Sequence, residues 1–86
     1  MLHTLKILAL ALAAHRSPVT NPASNVYHVA GHDVHTVACT VSVTPGMTAR
    51  VEIAHSRAWL ALLDASGQAE SDACEIAAVN PTPGKE

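Results

Sequence analysis

The sequence predicts an all-β fold: a small antiparallel β-sandwich or open barrel of about five short strands, preceded by an extended or helical apolar N-terminal segment. Three observations predict it. First, "VHTVACTVSV" (34–43) and "TARVEIAH" (48–55) each alternate between two faces with a period of two, the repeat of a strand with one buried side. Second, turn signals at Gly31, at 44–47 and at 64–67 cut the chain into short runs, the spacing of a small β-domain. Third, the chain has 86 residues, 49% apolar, with no Phe, one Trp and one Tyr. Such a chain is one domain at most, and a core of Val, Leu, Ile and Ala buries little area per residue. Below about 80 residues of core-forming chain, a staple or a partner usually makes up the difference.

Residues 1–14 form an apolar segment in which Leu and Ala alternate from Leu8 to Ala13. Two readings stay open. Lys6, the apolar stretch 7–14 and the small residues at 11–13 resemble a signal peptide with its cleavage site. Alternatively, Leu8, Leu10 and Leu12 share one face of an added strand that docks on a neighbour. The stretch is too short to span a bilayer.

Residues 15–25 carry Pro18 and Pro22 among Ser, Thr and Asn, which reads as a linker arm biased away from helix. The β-domain covers 26–79. "VYHVA" (26–30) is a short strand and "GHD" (31–33) a turn. In 34–43, Val37, Cys39, Val41 and Val43 face inward, and Thr36, Ala38, Thr40 and Ser42 face outward. "TPGM" (44–47) suits a type II turn, with Pro at its second position and Gly at its third. Across it, 34–43 is expected to pair with 48–55, where Ala49, Val51 and Ile53 point in and Arg50 and Glu52 point out.

"SRAWLALLDASGQ" (56–68) fits a helix capped by Ser56, with Trp59, Leu62 and Leu63 on one face. It also fits a strand over 59–63 ending in the loop "DASG". The strand is favoured, with 73–79 as its antiparallel partner and Cys74, Ile76 and Ala78 on one face. The Pro-rich tail 80–86 is not expected to continue a strand, because proline lacks the amide donor.

Cys39 and Cys74 do not form a CxxC motif, which disfavours a redox or zinc-ribbon role. On an early and a late strand, both pointing inward, they would suit a disulfide in an exported protein, and buried free thiols in a reducing compartment. Closing a loop of about 35 residues, the disulfide would contribute about 3–4 kcal/mol.

The charge balance is five Lys plus Arg against seven Asp plus Glu, net −2, with no basic run. That disfavours nucleic acid or an anionic membrane surface as partner. Six histidines are present, and His28, His32 and His35 have the i, i+4, i+7 spacing of a helical metal site. They are a weak candidate, since Gly31 and the β-prone neighbours oppose a helix and no fourth ligand is defined. Across a Gly31 turn, His28 and His35 would become cross-strand neighbours near Asp33. No cofactor is expected.

No GxSxG pattern supports a nucleophilic serine. The carboxylates Asp64, Glu70, Asp72 and Glu75 read as a solvated face. A chain this short has little room for a water-excluding cleft, so no enzyme activity is expected. The expected role is a non-enzymatic structural subunit of a larger assembly. Its most specific form is a minor virion protein, of the bacteriophage capsid cement or decoration type, in a homo-oligomer or capsid lattice. Leu8, Leu10, Leu12, Val51, Ile53 and Trp59 would be its partner-binding anchors, through apolar and β-edge contacts. The alternative is a small exported β-domain, periplasmic or secreted, stapled by Cys39 and Cys74. It would bind a ligand or partner after signal-peptide removal.

Overall fold

A computed structural model describes residues 15–82. Six antiparallel strands close into a small barrel: β1 (Ser17–Ala23), β2 (Val26–Val29), β3 (His32–Thr36), β4 (Thr48–Ala54), β5 (Arg57–Leu63) and β6 (Cys74–Pro81). The order around the barrel is β1-β2-β3-β6-β5-β4. The all-β class therefore holds, with a closed barrel in place of the sandwich or open barrel, and a sixth strand. No helix of the described residues is long and apolar enough to cross a membrane.

The sixth strand is β1, within the stretch that reads as a linker. It pairs with β2 at Val19↔Val29, Thr20↔His28 and Ala23↔Val26, with an irregularity between Thr20 and Ala23. Pro22 falls in that irregularity and Pro18 near the strand start, two places where a missing amide costs no regular ladder bond. Only Val19 of this strand is buried.

The β2–β3 hairpin turns on Ala30 and Gly31, both at positive φ (50° and 79°), as a type I′ turn requires. His32 and Asp33, read as turn residues, belong to β3 instead. Their register places His28 opposite Asp33 and His35 opposite Val26, so His28 and His35 are not direct cross-strand neighbours.

The expected strand 34–43 ends early, at Thr36. Val37 N still donates to Glu75 O at 2.9 Å, but Ala38 adopts φ 51°. That left-handed residue turns the chain out of the ladder and breaks the alternation. Before the kink the faces are the reverse of those expected, with Thr36 buried beside Val34 and Val37 53% exposed; after it Cys39 is buried and Val41 and Val43 pack partly buried against the core. Residues 37–47 form a strap linking β3 to β4. Those strands lie three places apart around the ring, so the strap crosses the end of the barrel and covers its core.

The Pro-Gly turn exists, with Met47 N donating to Thr44 O at 3.2 Å and Gly46 at φ 90°. It joins the strap to β4, and the expected pairing of 34–43 with 48–55 does not form. β4 pairs instead with β5 along its whole length, from Thr48↔Leu63 to Ala54↔Arg57. His55 and Ser56, at φ 52° and 62°, make a second turn of the type I′ kind, so Ser56 caps no helix and 57–63 is a strand.

β5 meets β6 at Trp59↔Glu75 and Leu60↔Cys74. Opposite β3, β6 shifts register between Thr36↔Ile76 and His35↔Ala78. The buried residues of β6 are consequently Ile76 and Val79 rather than Cys74, Ile76 and Ala78 on one face. Asn80 and Pro81, read as tail, complete β6. Thr82 N donates to Gly31 O at 2.9 Å, so the ladder passes over the proline, which sits at the strand's end where it is tolerated. Tyr27, Val29, Val34, Val51 and Leu60 are the largest fully buried side chains. Val19, Met47, Leu62, Ile76 and Val79 surround them.

Candidate protein-binding cleft

Cys39 of the strap and Cys74 at the start of β6 form a disulfide, with Cα atoms 5.5 Å apart. Polar ties hold the strap beside it. Cys39 N donates to Asn25 Oδ1 at 2.8 Å, and Tyr27 OH donates to Val41 O at 2.8 Å. Asn25 sits at φ 61°, a conformation asparagine tolerates. Its carbonyl accepts from both Thr36 N and Thr36 Oγ1. Burial pushes the Tyr27 phenol above its ordinary value, because a phenolate would lose its hydration there.

The disulfide forms part of the wall of an open cleft of about 420 Å³, bounded by residues 37–41 of the strap, Trp59, and 71–75. Trp59 lies on the outward face of β5, half-buried. Its direct neighbours across the two ladders are Glu52 on β4 and Glu75 on β6. Asp72 lines the opposite bank, and Val37 and Val41 supply apolar surface. Arg50 contacts Glu52 at 3.1 Å and Arg57 contacts Glu75 at 3.5 Å, exposed pairs that contribute little to stability. No Lys, Arg or His lines the cleft itself.

The expected anchors separate. Leu8, Leu10 and Leu12 lie outside the described residues. Val51 is 2% exposed and faces the core, so it is not available to a partner. Ile53, past the end of the core near the β4–β5 turn, is 37% exposed, and Trp59 stands in the cleft. Val37, read as inward, is the most exposed large apolar side chain among the described residues. Val37 faces outward because β3 buries Val34 and Thr36, and no sequence signal marks the kink at Ala38 that then turns Cys39 inward.

The histidines do not gather. His32 Nδ1 lies 3.1 Å from Ala30 O, and His35 pairs with Val26 and Ala78. Among the described residues, no group of three or more His, Cys, Asp or Glu could hold a metal ion. His28 Nδ1 contacts Asp33 Oδ1 at 3.1 Å, and Thr82 Oγ1 contacts both His28 Nε2 at 3.0 Å and Asp33 Oδ1 at 3.2 Å. The hydroxyl donates its proton to the carboxylate. The carboxylate and the hydroxyl meet the two ring nitrogens that a relay would use, but a relay hydroxyl gives its proton to the imidazole, whereas this one gives it to the carboxylate. Here the three groups close a ring that fastens Thr82 to the β2–β3 hairpin.

Asp64 ends β5 and organises the next loop. Its carboxylate accepts from Ser66 Oγ, Ser66 N and Gln68 N at 2.6, 2.9 and 3.0 Å. Led by the Ser66 hydroxyl, these donors hold its pKa below the ordinary carboxylate value. Glu70 N then bonds Leu62 O at 2.9 Å, bringing 71–75 alongside Trp59. The chain matches no known family model, and no curated protein and no solved structure is detectably similar to it.

Proposed function

We propose that this chain is an exported, disulfide-stapled β-barrel that acts by binding a protein partner, without catalysing a reaction. The observation that carries the reading is the Cys39–Cys74 bond. Disulfides persist in oxidising compartments and are rare where thiols are kept reduced. A barrel with so few large core residues benefits from such a bond. Lys6 and the apolar stretch 7–14 fit removal of a signal peptide on export. Intact-mass measurement of protein isolated from its natural source tests this. Loss of the first 13 or so residues, together with two hydrogens for the bond, is the expected result. A full-length chain with two free thiols would overturn it.

A second reading is a structural subunit, with the phage capsid cement or decoration type as its specific form. Its support is the β4 edge. β1 reaches β4 only at Ser17↔Ala49 and Pro18↔Thr48, so from Arg50 to Ala54 that edge has no strand partner among the described residues. Ile53 and Ala54 are exposed there. Unpaired edges take up strands from other chains. This reading expects a full-length homo-oligomer in solution, and a stable monomer by light scattering would count against it.

A further inference from the structure

We propose that the Trp59 cleft receives an arginine side chain, flanked by apolar residues, from an extended segment of the partner protein. The proposal rests on the reading of this chain as a binding module and names the chemistry of what it binds. Trp59 is the only tryptophan. The register sets its indole between two carboxylates, Glu52 on one side and Glu75 on the other, and Asp72 completes the acidic rim. An aromatic face bordered by carboxylates attracts a cation twice, through the ring quadrupole and through charge.

Of the three carboxylates, Asp72 alone is uncompensated among the described residues. Arg50 and Arg57 already contact Glu52 and Glu75, while Asp72 has no ion-pair partner among the described residues. The carboxylates repel phosphate groups, so nucleic acid and anionic lipid are poor occupants. Arginine fits better than lysine, because its planar guanidinium stacks on an indole and still presents edge donors to carboxylates. Val37 and Val41, on the strap side, offer apolar surface for the methylene stem and the neighbouring residues. About 420 Å³ exceeds what one side chain fills, so the flanking residues take part in the fit.

The single tryptophan supplies the readout, since the indole Nε1–H gives one resonance in a ¹H–¹⁵N spectrum. The oxidised full-length protein is titrated with acetyl-Gly-Val-Arg-Val-Gly-amide and with the same peptide carrying citrulline in place of arginine. The arginine peptide is expected to shift the indole resonance saturably. Asp72→Asn and Glu75→Gln should each raise its Kd at least about threefold, a loss typical of a partly exposed charge contact. Raising the salt from about 0.1 M to about 1 M, which shortens the screening length from ~10 to ~3 Å, should weaken binding further. Unchanged core amide resonances, such as those of Val34 and Leu60, confirm that the variants remain folded. Equal binding of the citrulline peptide, or no response of the indole to either peptide, overturns the proposal. Neither result touches the export reading, which is decided by intact mass.

Discussion

Cleaving the Cys39–Cys74 bond is the most informative perturbation of this barrel. Its magnitude follows from chain entropy. The bond joins residues 35 apart in sequence, and restricting a loop of that size in the unfolded chain contributes about 3.8 kcal/mol. A domain of 86 residues has a total stability of about 4–13 kcal/mol, so the bond supplies from a third to nearly all of it. In a domain of this size that corresponds to a Tm lower by about 15–30 °C. Urea and thermal unfolding, followed by circular dichroism with and without reductant, measure both quantities on the unmutated chain. The Cys39→Ala/Cys74→Ala variant should behave like the reduced protein. The urea m-value should also rise on reduction, because the uncrosslinked unfolded chain exposes more surface. If reduction moves Tm by less than about 5 °C and leaves m unchanged, the strap is held by packing and by its Asn25 and Tyr27 contacts alone. The staple argument then fails.

Three further outcomes follow from named contacts. Tyr27→Phe removes the donor to Val41 O and should cost about 1 kcal/mol in urea unfolding. In the unmutated protein the raised phenol pKa contributes stability that is complete below the unfolded-chain value of about 10 and lost as pH rises through the folded value. Tyr27→Phe should flatten that alkaline limb. Asp64 gives the opposite sign. Its lowered pKa contributes stability above the unfolded carboxylate range, lost as pH falls through the folded value, so Asp64→Asn should lower Tm near neutral pH and weaken its fall in acid. Gly67→Ala meets two obstacles, φ 87° and the Arg16 guanidinium where the new Cβ would stand. A loss of about 1–3 kcal/mol is expected by chemical denaturation, with part recovered in an Arg16→Ala background.

The sequence carries the inward Ala49 and Val51 and the outward Arg50 and Glu52 of β4, though not the exposure of Ile53, which the alternation places inward. It also carries the pairing of β5 with β6 and the option of a Cys39–Cys74 bond. It does not carry the pairing of β4 with β5. The turn between them is His55-Ser56, both at positive φ, and neither residue is the Asn or Gly that ordinarily marks such a turn. β1 is masked by Pro18 and Pro22, whose harmlessness depends on short ladders that only the closed barrel defines. Of the cleft, Trp59 is legible as the one large aromatic. Val51 is legible as inward from the alternation of β4, and a residue in the core is not open to a partner. Val37 follows the alternation of β3 in the opposite phase to the one expected, and Asp72 comes to the cleft through a loop path that no periodicity encodes.

The kink at Ala38 joins the staple to the cleft. Residues 37–43 have strand composition yet make no regular ladder, because φ 51° at Ala38 reverses the side-chain order at the end of β3. The alternation of β3, with Val34 and Thr36 buried, already points Val37 outward beside the Trp59 cleft, and the Ala38 conformation then sends Cys39 inward to Cys74. Both banks of the cleft, 37–41 and 71–75, are thus tied together by the bond that stabilises the fold. Few backbone ladder bonds hold the strap otherwise, so local opening there should require little free energy once the sulfurs are separated. Hydrogen exchange should therefore show reduction releasing the amides of 38–43 ahead of those of β2 and β5. Under the same conditions the arginine peptide should lose its effect on the Trp59 resonance while the barrel is still folded. Retained binding in the reduced, folded protein would mean that the cleft does not depend on the strap. Staple and binding site would then be independent features.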